Sequence, residues 1–309
     1  MASALDRFER VHFVYKTLNG VDFEAAVLVP KPLAASGEKT KSPLLAHFHG
    51  GFLVLGTILE PVFLPLWPLE LAEAENAIIV SAAYRLLPEA KGPEILDDLK
   101  DYWAWVHSTL PSLISAQWPH ISLDLERIAA IGESAGGYLS LQSAFQFPEA
   151  KVKVVLAQYC GLFPDIPEYT HQAAEDPSEA NAFVDNYLAS IKPGAIRLLT
   201  PFPELLPFVE AMVKTQRHRE FMGDDERMTL NYGLRVAENL PPIWVIQGTE
   251  DELVVKPATD AMVARIRKAH PETPLLYSVQ PGGHGFDSPH GLSEPYVAEG
   301  VEFVRKYWA

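Results

Sequence analysis

From Leu44 to the C-terminus, short unbroken apolar runs alternate with helix-like stretches, and this rhythm narrows the choice of fold more than any other feature of the chain. The runs lie at 44–48, 77–83, 127–131, 152–159, 242–247 and 275–279, and helical patterns fill 66–75, 94–110, 134–147, 257–270 and 295–308. A strand that is apolar throughout, rather than at every second residue, is buried on both faces. That requires a parallel sheet with helices above and below it. Ahead of this region, strand-like runs at 11–17 and 22–29 flank Asn19-Gly20, a strong hairpin-turn signal, and 31–43 reads as an exposed loop. The expectation is one α/β domain over 1–309, with about eight mostly parallel strands and helices on both faces.

One stretch breaks the rhythm. Residues 161–240 separate two sheet strands, far more chain than a crossover needs. Apolar helical pieces at 183–191 and 205–213 sit between the proline clusters Pro164–Pro167 and Pro201–Pro207. We expect a helical cap inserted over the sheet. A rival use of the stretch is a homodimer interface.

Gly132-Glu133-Ser134-Ala135-Gly136-Gly137 carries the pattern G-x-S-x-G between a strand and a helix. In that context the glycines permit a tight turn that lifts the serine oxygen above the sheet edge. The new helix then aims backbone N–H groups at the same place. His49-Gly50-Gly51-Phe52 follows the 44–48 strand, where a glycine-rich turn offers N–H donors to an oxyanion. His47 and His49 are spaced as a pair on one strand face. No further ligand cluster joins them in the sequence, so a metal is not expected.

A serine needs an adjacent general base, and the base needs a carboxylate to set its tautomer. His284, in Gly282-Gly283-His284-Gly285-Phe286 after the last strand, is the first candidate, and His290 is a weaker one. Asp251 follows the 242–247 strand through Gly248-Thr249-Glu250, and the adjacent Glu250 is an alternative. The order Ser134, Asp251, His284 is that of α/β-hydrolases rather than of chymotrypsin or subtilisin.

These stretches, together with Tyr84-Arg85-Leu86-Leu87-Pro88-Glu89 and Asp98 beyond it, resemble the hormone-sensitive lipase-like family of α/β-hydrolases. The resemblance spans about 44 to the C-terminus, less the cap. It implies an oxyanion hole built on Gly50 and Gly51, with donors at the N–H groups of Gly51, Phe52 and Ala135, and a buttressing role for Tyr84–Glu89. The family often has a third glycine where Phe52 stands and an aspartate where Glu133 stands. The His-Gly-Gly-x form also resembles kynurenine formamidases, which have an aromatic residue where Leu53 stands.

The expected activity is cleavage of small to medium apolar carboxylic esters, without cofactor or metal. Phe52, Leu53, Phe163 and Phe183 are the candidate pocket residues. Formamides, lactones and thioesters suit the same machinery. A non-catalytic small-molecule receptor is the rival of another class, and retention of His284 weighs against it. The net charge of −15 repels phosphate backbones, so nucleic acid is not an expected partner. A single cysteine, Cys160, allows no intrachain disulfide. Residues 1–10 lack an apolar targeting run and no stretch is long enough to span a bilayer, so a cytoplasmic location is expected.

Overall fold

A computed structural model describes residues 4–168 and 174–308; residues 1–3 of the N-terminal reading and 169–173 of the expected cap lie outside them. The elements in chain order are β1 (Phe8–Leu18), β2 (Val21–Pro30), α1 (Lys31–Ser36), β3 (Thr40–Phe48), α2 (Leu66–Ala74), β4 (Ile78–Ala82), α3 (Gly92–Ser108), α4 (Leu110–Gln117), β5 (Ile121–Glu133), α5 (Ala135–Gln146) and β6 (Val152–Gln158). Then come α6 (Ser178–Ser190), α7 (Leu206–Lys214), α8 (His218–Met222), α9 (Leu230–Val236), β7 (Ile243–Gly248), α10 (Lys256–Ala269), β8 (Leu275–Gln280) and α11 (Pro295–Trp308).

The eight strands form one sheet in the order β1-β2-β4-β3-β5-β6-β7-β8. The hairpin pairs antiparallel with itself and with β4, and every pairing from β4 to β8 is parallel. This is the mostly parallel α/β sheet that the apolar runs implied. Its two faces are covered by separate apolar clusters. One gathers α3, α5 and α10 with side chains such as Trp103, Tyr138 and Met262, and the other gathers α2 and α11 around Trp67, Trp244 and Val301.

Two local expectations are corrected. The stretch 31–43 is not a continuous loop: it holds the short helix α1, and β3 begins at Thr40. Thr40 to Pro43 pairs with Ile121 to Asp124, after which the register jumps from Pro43/Asp124 to Leu44/Ile128. The irregularity sits beside Pro43, which has no N–H to give to a ladder. The helix expected over 94–110 ends at Ser108, and α4 begins two residues later with a proline in its first turn. Pro111 is tolerated there and would break a continuous helix.

Between β6 and β7 lie α6, α7, α8 and α9. They touch the body at the ends of other elements. Thr200 and Gly56 exchange backbone hydrogen bonds of 2.7 and 2.9 Å, and Leu86 N–H donates to the Arg197 carbonyl at 2.9 Å. Glu89 Oε1 accepts from Tyr187 Oη at 2.9 Å and from Arg197 Nε at 2.8 Å. The Tyr138 hydroxyl of α5 donates to the Met228 carbonyl at 3.0 Å.

Candidate active site

Ser134 sits between the last residue of β5 and the first of α5, with φ 55° and ψ −115°. A residue with a Cβ holds that backbone only where its surroundings over-determine it. Here they do. The Ser134 N–H donates to the Gln158 carbonyl at the end of β6 (2.8 Å), and its own carbonyl accepts from Tyr138 N–H (3.1 Å). A Cβ on Gly136 would lie 1.8 Å from the Phe48 carbonyl oxygen, so only glycine lets α5 start this close to the end of β3. That contact brings the serine turn and the His49–Phe52 turn together.

The second turn is oriented by its carbonyls. His49 Nδ1 lies 2.8 Å from the Gly50 carbonyl oxygen, and the Gly51 carbonyl accepts from Val54 and Leu55 N–H at 2.9 and 3.0 Å. A trans peptide points its N–H opposite to its C=O. Holding these two carbonyls therefore sets the directions of the Gly51 and Phe52 N–H groups. The turn requires left-handed backbone at Gly51 (φ 103°), Phe52 (φ 58°) and Leu53 (φ 63°). The ring of His49 is buried and stacked on Tyr84 at 4.4 Å, and the Tyr84 hydroxyl donates to the His49 carbonyl at 2.7 Å. Burial lowers the imidazole pKa to about 4, so His49 is neutral near pH 7 and its Nδ1–H is the donor to Gly50.

His47 and His49 part company at the end of β3, at Phe48. His47 Nδ1 meets Ser81 Oγ on β4 at 2.8 Å, and its Nε2 lies 3.1 Å from both the Phe63 carbonyl and Glu133 Oε2. The two rings thus have different partners and form no ligand pair. No group of side chains suited to a metal ion occurs among the described residues. Glu133 is fully buried, and desolvation pushes its carboxyl pKa up against the opposing pull of His47.

On the far side of β6, Asp251 and His284 meet. Asp251 Oδ2 lies 2.8 Å from His284 Nδ1, while Oδ1 accepts from Leu253 and Val254 N–H at 2.9 and 2.8 Å. An ionised carboxylate only accepts, so Nδ1 carries the proton and Nε2 keeps its lone pair. The neighbouring Glu250 takes a different task. It accepts from the Thr249 hydroxyl at 2.6 Å and from Gly282 N–H, anchoring the backbone of the histidine loop. Those hydrogen bonds, the Thr249 one first, lower its pKa. His290 Nδ1 is engaged with the Tyr296 hydroxyl at 2.8 Å. The His284 ring also lies edge-on to Tyr159, at 4.6 Å between centroids, and Tyr159 is the residue after Gln158, which holds the Ser134 N–H.

The four pocket candidates are dispersed. Phe52 is buried, with its ring edge-on to His218 of α8 at 6.1 Å and its carbonyl 3.3 Å from His218 Nε2. Leu53 and Phe163 are fully buried. Phe163 packs against Tyr138 and Phe145 of α5 at 4.8 and 6.2 Å. Phe183, on α6, is 45% exposed. The sequence reading missed Gln158, Tyr159, His218 and Asp287. A glutamine closing an apolar strand, and an aspartate three residues after a candidate base, were the available signals.

A family model described as alpha/beta hydrolase fold matches residues 45–287. The chain belongs to this family. It is similar to the probable carboxylesterase M8 of a Phoma species, with 30% identity over 311 aligned residues that cover 97% of each chain. It is also similar to the probable carboxylesterase clz11 of Cochliobolus lunatus, with 34% identity over 60% of this chain and 88% of that one. Relatives of this type agree with the resemblance drawn from the sequence motifs. Among solved structures, an esterase from the archaeon Pyrobaculum calidifontis superposes with a TM-score of 0.61 at 19% identity, over 97% of this chain and 85% of the other. That likeness is one of fold. Among the described residues, no helix is long and apolar enough to cross a membrane.

Proposed function

We propose that the chain is a serine carboxylesterase that cleaves small to medium apolar esters through an acyl-enzyme. The observation that carries this reading is the 2.8 Å Asp251–His284 pair, held at the sheet edge where Ser134 occupies its strained turn. In the proposed cycle, His284 Nε2 takes the Ser134 hydroxyl proton as the oxygen attacks the ester carbonyl. Asp251 stabilises the resulting imidazolium. The N–H groups of Gly51, Phe52 and Ala135, with Gly50 shaping the turn, take up the oxyanion. His284 then returns the proton to the leaving alcohol, and water repeats the sequence to free the acid. The family relatives named as carboxylesterases support the ester as the bond cleaved.

In this reading the segment 161–240 is the cap that covers the site and sets acyl preference. Its contact with Phe52 through His218 supports that role. The test is a fluorophosphonate probe together with hydrolysis of 4-nitrophenyl acetate, applied to the natural chain and to Ser134→Ala. Labelling and turnover confined to the natural chain are expected. Turnover that survives in the variant rejects Ser134, and absence of turnover in both favours a binding protein.

A further inference from the structure

Asp287 is fully buried, three residues past His284, and the proposed cycle gives it no part. Its surroundings are specific. Oδ2 accepts from Gln158 Nε2 at 2.7 Å and from Trp67 Nε1 of α2 at 3.0 Å. Gln158 is the residue whose carbonyl receives the Ser134 N–H. The phenol of the next residue, Tyr159, lies beside the same carboxylate, and burial followed by that negative charge keeps the phenol protonated far above neutral pH. The other face of the argument is the Tyr159 ring, which meets His284 edge-on at 4.6 Å.

The hydrogen bond to Asp251 holds His284 Nδ1, and the Tyr159 ring packs edge-on against the same imidazole and supports its orientation. We infer that Asp287 is a positioning residue for both halves of the site: its carboxylate holds the strand end that anchors Ser134 and the tyrosine on which the His284 ring rests. The inference rests on the roles proposed above for Ser134 and His284. A buried carboxylate is costly to keep ionised unless hydrogen-bonded. Two N–H donors from different elements meet Oδ2, while Oδ1 is buried without a hydrogen-bond partner, so the site keeps a carboxylate at some cost where strand, helix and histidine loop converge.

The electrostatic setting is acidic from several sides. Asp251 reaches His284 from the loop after β7 and Tyr159 from the end of β6. Glu250 holds the backbone of the histidine loop. Glu133 from β5 and Tyr296 from α11 both feel the Asp287 charge, and His290 N–H donates to the Asp287 carbonyl at 2.9 Å. Replacing Asp287 by asparagine removes one negative charge from this setting and leaves the rest in place.

The decisive experiment measures Asp287→Asn, Tyr159→Phe and His284→Ala in the full chain with 4-nitrophenyl acetate across pH 5–9. For Asp287→Asn we expect kcat to fall about 10- to 100-fold, the scale of a small misplacement of reacting groups, with KM within about twofold. Tyr159→Phe keeps the ring and loses the phenol, and should lower kcat about three- to tenfold at unchanged KM. A folded Asp287→Asn with natural kcat overturns the inference. If that variant does not fold, natural kcat in Tyr159→Phe overturns it and a kcat loss at constant KM supports it. Turnover that survives His284→Ala instead sinks the underlying assignment of the base. Loss in His284→Ala alone sinks only the role of Asp287.

Discussion

The sheet edge that carries Ser134, Asp251 and His284 and the segment between β6 and β7 are held by different means. At the sheet edge the polar groups are buried and cross-linked between strand ends: Asp251 by two backbone N–H groups and a histidine, Asp287 by Gln158 and Trp67, His49 by Tyr84 and Gly50. In the inserted segment, α6 buries only Val184 of its thirteen residues and leaves Phe183 exposed. The rest of the segment is tied to the body more firmly, through Glu89, Gly56, Phe52 and Tyr138 and through buried side chains such as Phe208, Phe221 and Met228 that join the core on one face of the sheet. The contrast is one of local order: the strand ends fix their polar groups by buried cross-links, while within the inserted segment α6 exposes most of its surface.

The sharpest way to break this contrast is at the rigid end. Ser134→Ala should reduce kcat for an activated ester by at least about 10⁴-fold, because in the proposed cycle the three side chains act as a unit. Chemical unfolding should stay near that of the natural chain, since only a hydroxyl is removed. Comparable turnover in the two proteins would remove the sheet edge from the chemistry.

The two adjacent acids give the next largest effect. Asp251→Asn should lower kcat about 10³- to 10⁴-fold by disturbing the histidine tautomer. Glu250→Gln, which perturbs only the loop backbone, should cost about tenfold or less. Parallel steady-state kinetics decide it, and the reverse ranking would reassign the acid.

His49 makes the rigidity measurable as a pH effect. Its folded pKa of about 4 lies below the unfolded value near 6.5, so between these limits the unfolded chain binds the extra proton. Stability is therefore complete above about pH 6.5, falls as pH drops through the window and levels off below about pH 4. The total contribution is about 3 kcal/mol. Urea titrations at pH 7 and pH 4.5 should show the loss, and His49→Asn should lack that part of the slope. An identical slope in the variant would contradict a buried neutral imidazole.

At the adaptable end the effects shrink. Arg197→Ala removes one of the two partners of Glu89 and should alter the ratio of hexanoate to acetate hydrolysis by about three- to tenfold while sparing acetate turnover, at or below the lower end of what one methylene contact in an apolar pocket discriminates. Equal loss on both esters would mean that the segment is part of the rigid machinery. Phe183→Ala, at an exposed position, should shift unfolding by no more than about 0.5 kcal/mol. A larger shift by calorimetry would show that the side chain is covered in solution, as at an interface between copies.

Much of the architecture was legible in local pattern. An apolar run buried on both faces has to be an inner strand, and a glycine-flanked serine between such a run and a helix has to turn sharply, so β3 to β8 and the Ser134 turn could be read from the chain. So could the pair Asp251 and Glu250 as candidate acids for His284, since both follow the 242–247 strand. The ends of elements were less legible. Thr40 to Pro43 becomes strand because Ile121 to Asp124 pairs with it, and nothing in the local pattern of either short stretch announces the other.

What the sequence by itself determined was the parallel sheet, the serine turn and the candidate acid and base, because each follows from periodicity or from short spacing along one element. Tertiary structure alone decided which side chains meet across elements. It set His47 on Ser81 and Glu133 instead of beside His49, turned Glu250 to a backbone N–H and Asp251 to the ring, brought His218 to Phe52, and gathered Trp67, Gln158 and Tyr159 around Asp287. Trp67 and Asp287 are 220 residues apart in sequence. The physical reason is that a hydrogen bond or an ion pair depends on distances of about 3 Å between atoms, which chain order does not encode until the sheet has closed and its helices have packed.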